Sequence, residues 1–367
     1  VYLAGTRAPD LEVQQEMSKT PFTTAGRFAL GASLLALAPL AAAAPAPSGP
    51  DVTSADIAAV SGAPGAPQAI TLSGTSKLPN PALTYQVVIP PKHGTLAPGD
   101  PNNPAVFVYT PAPGYVGPDH FWYRAVGSGG EPGDVALVNL TVSATPGQPG
   151  PAILFADSFE AGGTTLATKP PGRFSDDPTD DGASVVAIRG GRTGSFAARA
   201  TDKSAKAVSA WLRDRFTPSP GVTATLSLRI DSLKLARNQT RGLIRISNGR
   251  EPGPRIEVGV TRVKGRLLWT IYSTDRAKKF NSENSKTTVP LHRWLDITLQ
   301  TSWTAKQPAR LIVNGKPVLT TPAINEGGVL ARQLDLGLLY TAKKTDNAAV
   351  SVDDVVLTNQ GFVATAS

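Results

Sequence analysis

The sequence predicts an all-β protein built from two β-sandwiches in tandem, and three observations carry that expectation. Short runs that alternate apolar and polar residues recur along the chain with turn residues between them, the pattern of strands buried on one face. Glycine (35) and proline (33) are abundant while aromatic residues make up only 6%, a balance that suits turns and loops better than long helices. Finally, Thr145-Pro146-Gly147-Gln148-Pro149-Gly150-Pro151 parts two alternating regions as a linker. With 367 residues the chain can build two cores. It contains no cysteine, which excludes disulfide staples, thiolate metal sites, a cysteine nucleophile and a lipoprotein acyl anchor.

The N-terminal stretch reads as an export signal. Met17 is the only methionine; Lys19 and Arg27 precede an apolar run from Phe28 to Leu37, which closes on Ala41-Ala42-Ala43-Ala44-Pro45. A basic start, a short apolar core and small residues at the cleavage point make a secretory signal over 17–43, too short to serve as a comfortable span. No twin arginine accompanies it, so the Sec route is expected, delivering the protein outside the cell or to its surface. Residues 1–16 have no signal character and read as an upstream extension from an early start. Residues 44–56, rich in proline and alanine, are expected to be a disordered linker.

The first folded region, 57–144, alternates at Leu83, Tyr85, Val87 and Ile89, at Phe121, Tyr123 and Ala125, and at Val138, Leu140 and Val142. These runs predict a small sandwich with those residues inside. Between Pro67 and Ser143 lie His93-Gly94-Thr95-Leu96, Tyr109-Thr110-Pro111, Gly114-Tyr115-Val116-Gly117 and Asp119-His120-Phe121-Trp122-Tyr123. This succession resembles the cadherin-like, immunoglobulin-like modules of bacterial surface proteins, which implies a spacer or adhesive unit. Such modules often carry calcium-binding carboxylates before the strand that begins Leu83-Thr84-Tyr85; here the loop Ser76-Lys77-Leu78-Pro79-Asn80-Pro81 has none.

The second region, 152–360, leaves a tail at 361–367. Lys264-Gly265 is a two-residue hairpin turn that should pair Val263 with Arg266, Thr261 with Leu268, Val260 with Trp269, Val258 with Ile271 and Glu257 with Tyr272. Ile256, Val258, Val260, Leu267, Trp269 and Ile271 then face a core, and Arg255, Glu257, Thr261, Thr270 and Tyr272 face away. Thr223 to Ile230 turns Arg229 outward, Leu243 to Ser247 turns Arg245 outward, and Asn314-Gly315 marks another hairpin.

Asp157-Ser158-Phe159-Glu160, Arg293-Trp294-Leu295-Asp296, Ile312-Val313-Asn314-Gly315-Lys316 and Val352-Asp353-Asp354-Val355-Val356-Leu357 are similar to segments of concanavalin A-like (laminin-G-like) jelly rolls. That resemblance implies two packed antiparallel sheets, one concave, in a family of glycan-binding modules, glucanases and polysaccharide lyases. It also implies a structural calcium ion between the chain ends, held by Asp157, Glu160, Asp353 and Asp354, hard oxygen donors of the kind calcium takes.

Charge is unevenly distributed. Residues 1–150 hold six Lys and Arg against nine Asp and Glu, a net of −3; residues 151–367 hold thirty against nineteen, a net of +11, and together these make +8. Outside a cell such a basic sandwich meets acidic polysaccharide rather than nucleic acid. The paired-carboxylate strand motif of jelly-roll glucanases is missing, as are HExxH, GxSxG and phosphate loops. His93, His120 and His292 show no partner in sequence and read as structural. The expected ligand surface is the outward row Arg229, Arg245, Glu257 and Tyr272, with Trp122 and Trp303 as exposed sugar platforms and Trp211, Trp269 and Trp294 in packing roles. The expectation is therefore a secreted, non-catalytic glycan-binding or adhesive protein. A polysaccharide lyase, with Tyr272 or Tyr340 moving a proton, and an envelope or matrix component stand as alternatives.

Overall fold

The structure is a computed structural model that describes residues 52–361, apart from 78–81, 144–150, 161–173, 177–178, 181, 204–207, 251–252, 276–278, 304–305, 325–327 and 340–346, and without the side chains of 58–61. The expected upstream extension and signal peptide, nearly all of the 145–151 linker, and Tyr340 lie outside the described residues. Among the described residues no helix is long and apolar enough to cross a membrane.

Among the described residues, nine strands form the first sandwich: β1 (Val52–Ser54), β2 (Ile57–Gly62), β3 (Gln68–Thr71), β4 (Gly74–Ser76), β5 (Thr84–Ile89), β6 (Gly94–Pro98), β7 (Val106–Pro111), β8 (Gly117–Val126) and β9 (Pro132–Val142). A four-stranded sheet, β2-β9-β8-β5, faces a three-stranded sheet, β3-β7-β6, and β1 pairs with β4 as a separate ribbon. Ile70, Leu72, Tyr109, Phe121, Tyr123, Ala136, Val138, Leu140 and Val142 fill the space between them. β1 lies inside the stretch expected to be disordered linker, and Val52 is buried there.

The recurrent motifs of this region have one physical centre. Buried Asp119 accepts hydrogen bonds from the Lys92 and His120 amides on Oδ1 (3.1 and 2.9 Å) and from the His93 amide and the Tyr109 hydroxyl on Oδ2 (2.9 and 2.8 Å). Four donors answer one buried carboxylate, which is what its desolvation requires. Gly94 lies under Tyr109, where a Cβ would come within 2.4 Å of the ring. Tyr115 stacks on His93 (4.1 Å between centroids) and donates to the Pro118 carbonyl at 2.5 Å.

Among the described residues, fourteen strands form the second sandwich: β10 (Ile153–Asp157), β11 (Ala183–Arg189), β12 (Phe196–Asp202), β13 (Ala210–Ser219), β14 (Gly221–Ser232), β15 (Thr240–Ser247), β16 (Arg255–Val263), β17 (Arg266–Thr274), β18 (Phe280–Thr288), β19 (Leu295–Ser302), β20 (Arg310–Val313), β21 (Lys316–Thr320), β22 (Ala331–Leu338) and β23 (Ala348–Thr358). One sheet runs β11-β12-β23-β14-β19-β20-β21 with β10 also on β23; the other runs β13-β22-β15-β16-β17-β18. All pairings in both are antiparallel. The turn at Lys264-Gly265, with φ of 48° and 82°, sets the β16–β17 register expected from sequence, Glu257 opposite Tyr272 included. Asn314-Gly315 does the same for β20 and β21. The core between the sheets includes Leu226, Leu228, Ile244, Ile246, Val258, Trp269, Leu334 and Leu336.

Both sandwiches belong to one compact unit, Pro50–Ser367. They meet through an apolar cluster in which Ile89, Trp122, Val135 and Leu137 of the first pack with Ala156 and Val356 of the second. A register shift between Val87 and Ile89 turns Ile89 out of the first core and into this seam, opposite Trp122, contrary to the simple alternation. Trp122 does leave the first core as expected, but the second sandwich covers it: it is 1% exposed and presents no sugar platform.

Candidate functional site

The outer face of the six-stranded sheet gathers the charged side chains. Direct register partners across it run Arg213 (β13), Asp335 (β22), Arg245 (β15), Glu257 (β16), Tyr272 (β17) and Ser282 (β18), one residue per strand in a single line. Antiparallel partners point to the same side, so the whole line faces away from the core.

The charges alternate and hold one another. Arg213 Nε donates to Asp335 Oδ1 at 2.8 Å, and Arg245 Nε donates to Glu257 Oε2 at 2.8 Å, with Arg245 Nη1 3.7 Å from Asp335 Oδ2. Gln333 Nε2 reaches both Asp335 oxygens, at 3.2 and 3.1 Å. Asp335 is fully buried and Arg245 is 12% exposed in its side chain, so these pairs are fixed parts of the surface rather than loose ions. Tyr272 shares its hydroxyl with Thr240 and with Thr261 (3.1 Å), and its ring stacks on Phe280. Burial holds the Tyr272 phenol above its ordinary value, partly offset by those hydroxyls, so it keeps its proton at neutral pH.

Rows on either side complete the face. Arg215, Gln333, Ser247 and Arg255 are register partners on one flank. On the other, Trp211 stands opposite Gly337, and Gly242, Gly259 and Thr270 follow. A Cβ at Gly242 would fall 1.7 Å from Glu257 Oε1, so the bare backbone is what gives that carboxylate its place. Four arginines (Arg213, Arg215, Arg245, Arg255) face two carboxylates (Asp335, Glu257) here.

Of the residues expected from sequence, Arg245, Glu257 and Tyr272 come together and Arg229 does not. Arg229 lies on β14, in the opposite sheet, where it pairs with Asp231 (2.6 Å) and sits over the Trp294 ring at 4.7 Å. Alternation along a strand distinguishes inside from outside but not which of two sheets the strand joins. Trp303 is fully buried, with Nε1 donating to Thr301 Oγ1 at 3.1 Å and its own amide to the Pro220 carbonyl, so it too is no platform. Sequence reasoning missed Trp211, Arg213, Gln333 and Asp335. The signal was present in β13, where Trp211, Arg213 and Arg215 alternate with buried Ala210, Leu212, Asp214 and Phe216.

The four acidic residues expected to hold calcium are buried, and three of them, Glu160, Asp353 and Asp354, bond to the loop 190–196. Glu160 Oε1 accepts from the Ser195 and Phe196 amides (2.8 and 2.6 Å), and Asp353 Oδ2 from those of Arg192 and Thr193 (2.6 and 3.3 Å). Thr193 Oγ1 donates to Asp354 Oδ1, and Asp157 Oδ1 accepts from the Phe159 amide at 2.7 Å. Asp354 has φ of 49°, at the point where β23 leaves β12 and takes up β10. Burial, then the neighbouring Asp354, pushes the Asp353 carboxyl up to about 8. The donor chemistry suits calcium, but among the described residues no three carboxylates or imidazoles converge as a metal cage requires. His120 of the first sandwich also lies near this cluster; burial above all lowers it to about 4, Lys92 and His93 add to that, and Asp119 and Asp354 oppose it.

No family model matches the chain, and no curated protein does. Solved structures similar to it include an alginate lyase, Aly36B, at 13% identity over 55% of this chain and 95% of that one, with a TM-score of 0.42. An endo-β-1,4-glucuronan lyase from the fungus Trichoderma reesei matches at 13% identity, covering 50% and 90% with a TM-score of 0.40. A cellulose-induced protein, Cip1, matches at 12% identity, covering 57% and 99%, also at 0.40. Likeness at this level carries no argument about activity, and the two-sandwich architecture rests on the strand pairing itself.

Proposed function

We propose that this chain binds an acidic polysaccharide along the outer face of its six-stranded sheet. One observation carries the reading: five adjacent strands place Arg213, Asp335, Arg245, Glu257 and Tyr272 in a single line, flanked by Arg215 and Arg255. A strand-crossing row is long enough to meet several sugar units. Its internal ion pairs pre-organise the guanidinium groups, so less order is lost when a carboxylate or sulfate docks. The surplus of positive charge favours an anionic chain, and delivery outside the cell, as residues 17–43 lead us to expect, would place it among polysaccharides.

Turnover by β-elimination is the second reading, favoured by one feature. Tyr272 stands in line with Arg245, so an arginine able to neutralise a uronate and a phenol holding its proton share one face. A phenol held protonated suits donation to a leaving oxygen, not abstraction of a proton.

Calorimetric titration of the full chain with oligoglucuronate and its neutral counterpart tests the proposal. Binding of the acidic oligomer alone, weakening as salt rises, is expected. Arg215→Ala is the informative variant because Arg215 is exposed: affinity should fall about tenfold, in keeping with roughly 1.5 kcal/mol for a hydrogen bond to a charged group, with thermal stability kept. Arg245→Ala also weakens binding, but it strips partners from Glu257 and Asp335 and lowers stability. If the acidic oligomer binds no better than the neutral one, the reading is wrong. Ultraviolet absorbance from an unsaturated uronate product would select turnover over binding.

A further inference from the structure

Trp211 differs from the other tryptophans of the chain in the sheet face it occupies. Trp122, Trp269 and Trp303 are at most 1% exposed, and Trp294 lies beneath Arg229 on the opposite sheet. Trp211 is half-buried on the wet face of β13, the outermost strand of the six-stranded sheet. Its indole nitrogen is buried, so its polar edge is not what it shows to solvent. An apolar ring surface therefore stands at the β13 edge, across the sheet from the stacked rings of Tyr272 and Phe280 on β17 and β18.

Its neighbours fit this role. Gly337, directly opposite on β22, has φ of 133°, and a Cβ there would strike the Ala210 carbonyl at 2.6 Å. That position is restricted to glycine, so the adjoining strand places no side chain beside the indole. Two residues along β13, the Arg213 guanidinium lies 5.8 Å from the indole centroid, within cation–π range. The Arg213 atom committed to Asp335 is Nε, which anchors the group while its terminal nitrogens are not the atoms of that bond. Asp335 is itself gripped by Gln333, so the anchor does not swing.

We propose that Trp211 and Arg213 form a sugar subsite at the β13 edge that takes one acidic pyranose, its apolar ring face on the indole and its carboxylate on the guanidinium. This rests on the acidic-glycan reading and adds the place where a ring stacks. C–H-rich sugar faces pack on aromatic rings as other apolar surfaces do, and a fixed guanidinium binds a carboxylate by paired hydrogen bonds.

The full chain titrated with hexameric oligoglucuronate, followed by intrinsic fluorescence and by calorimetry, tests the subsite. Of the five tryptophans, Trp211 is the one on the glycan face, so the parent's fluorescence should change on binding. Trp211→Phe keeps a ring: affinity should stay within about threefold while the fluorescence response disappears. Trp211→Ala should lose about tenfold in affinity, and Arg213→Gln should narrow the preference for the acidic over the neutral oligomer. Should the parent bind and Arg215→Ala weaken it, yet Trp211→Phe retain the full fluorescence response or Trp211→Ala bind as the parent does, the subsite is overturned and the acidic-glycan reading stands. Should the parent not bind the acidic oligomer, both fall.

Discussion

Two sheets of this molecule turn an outer face away from their own core, and the two faces differ in kind. The four-stranded sheet offers Ile89, Trp122, Val135 and Leu137, and these are buried against Ala156 and Val356 of the second sandwich. The six-stranded sheet offers half-buried Arg213, Arg245 and Tyr272, with the two arginines paired to buried Asp335 and Glu257. A tryptophan sits on each. Trp122 is wholly covered and Trp211 is half so, and that contrast separates a closed wall from a partly open face. An outward residue is thus not the same as an exposed one; what lies over the face decides.

The widest break of this comparison is Trp122→Ala. It removes the largest side chain from a closed seam and should cost about 3–5 kcal/mol, read as a lowered midpoint in denaturant. Trp211→Ala should cost much less, because no closed cavity is left on a half-open face. Equal losses would mean that the two faces are not energetically distinct.

An intermediate effect is expected where the wall meets the acidic cluster. The Asp353 carboxyl is raised to about 8 from an ordinary 3.8, so the folded state holds a proton that the unfolded state releases, and this group's contribution falls as pH rises from about 4 to about 8. His120 is lowered to about 4 from 6.5, so its contribution is present above about 6.5 and is lost as pH falls toward 4. Asp353→Asn should therefore flatten the decline in melting temperature between pH 4 and 8 by several degrees, and His120→Gln should flatten the acid side instead. Calcium should raise the melting temperature of the parent and not of Asp353→Asn if the cluster takes the ion; no change with calcium or chelator would remove calcium from the account.

The smallest effect is expected from Arg229→Ala. It loses a partly exposed pair with Asp231 and its contact with Trp294, together worth about 1 kcal/mol or less. Because β14 belongs to the other sheet, glycan titration should be unchanged, and a tenfold loss would put Arg229 back among the ligand residues.

Local signals were legible and distant ones were not. The β16–β17 register followed from a two-residue turn and alternation alone, and the small sandwich's motifs were readable because Asp119 binds His93, Tyr109 and its own neighbours within a short span of chain. The site was half legible: Arg245, Glu257 and Tyr272 lie on three consecutive strands, but Asp335 comes from β22, far along the chain, and slots between β13 and β15. No spacing rule reports that insertion. Trp122 misled because what covers it, Val356, is more than two hundred residues away, although the unbroken apolar run Val135-Ala136-Leu137-Val138 on β9 was a sign of burial on both faces. Trp303 misled because its neighbours Thr301-Ser302 are polar, whereas its indole is buried with Nε1 on Thr301 Oγ1 and its own amide on the Pro220 carbonyl.

The place of β23 has a consequence for the order of events as the chain is made. It is the last strand among the described residues, yet it lies inside its sheet, joining β14 on one side to β12 and β10 on the other, and it carries Val356 into the seam. Synthesis from the N-terminus delivers residues 348–358 after every other described strand. Until then β10, β12 and β14 have no shared neighbour, and the apolar back of the first sandwich has no cover. The pairing that completes the sheet spans Ile153 to Thr358, a contact of high sequence separation, and such contacts close slowly. Assembly of the second sandwich is therefore timed by the arrival of its final strand rather than by the first hairpin to form.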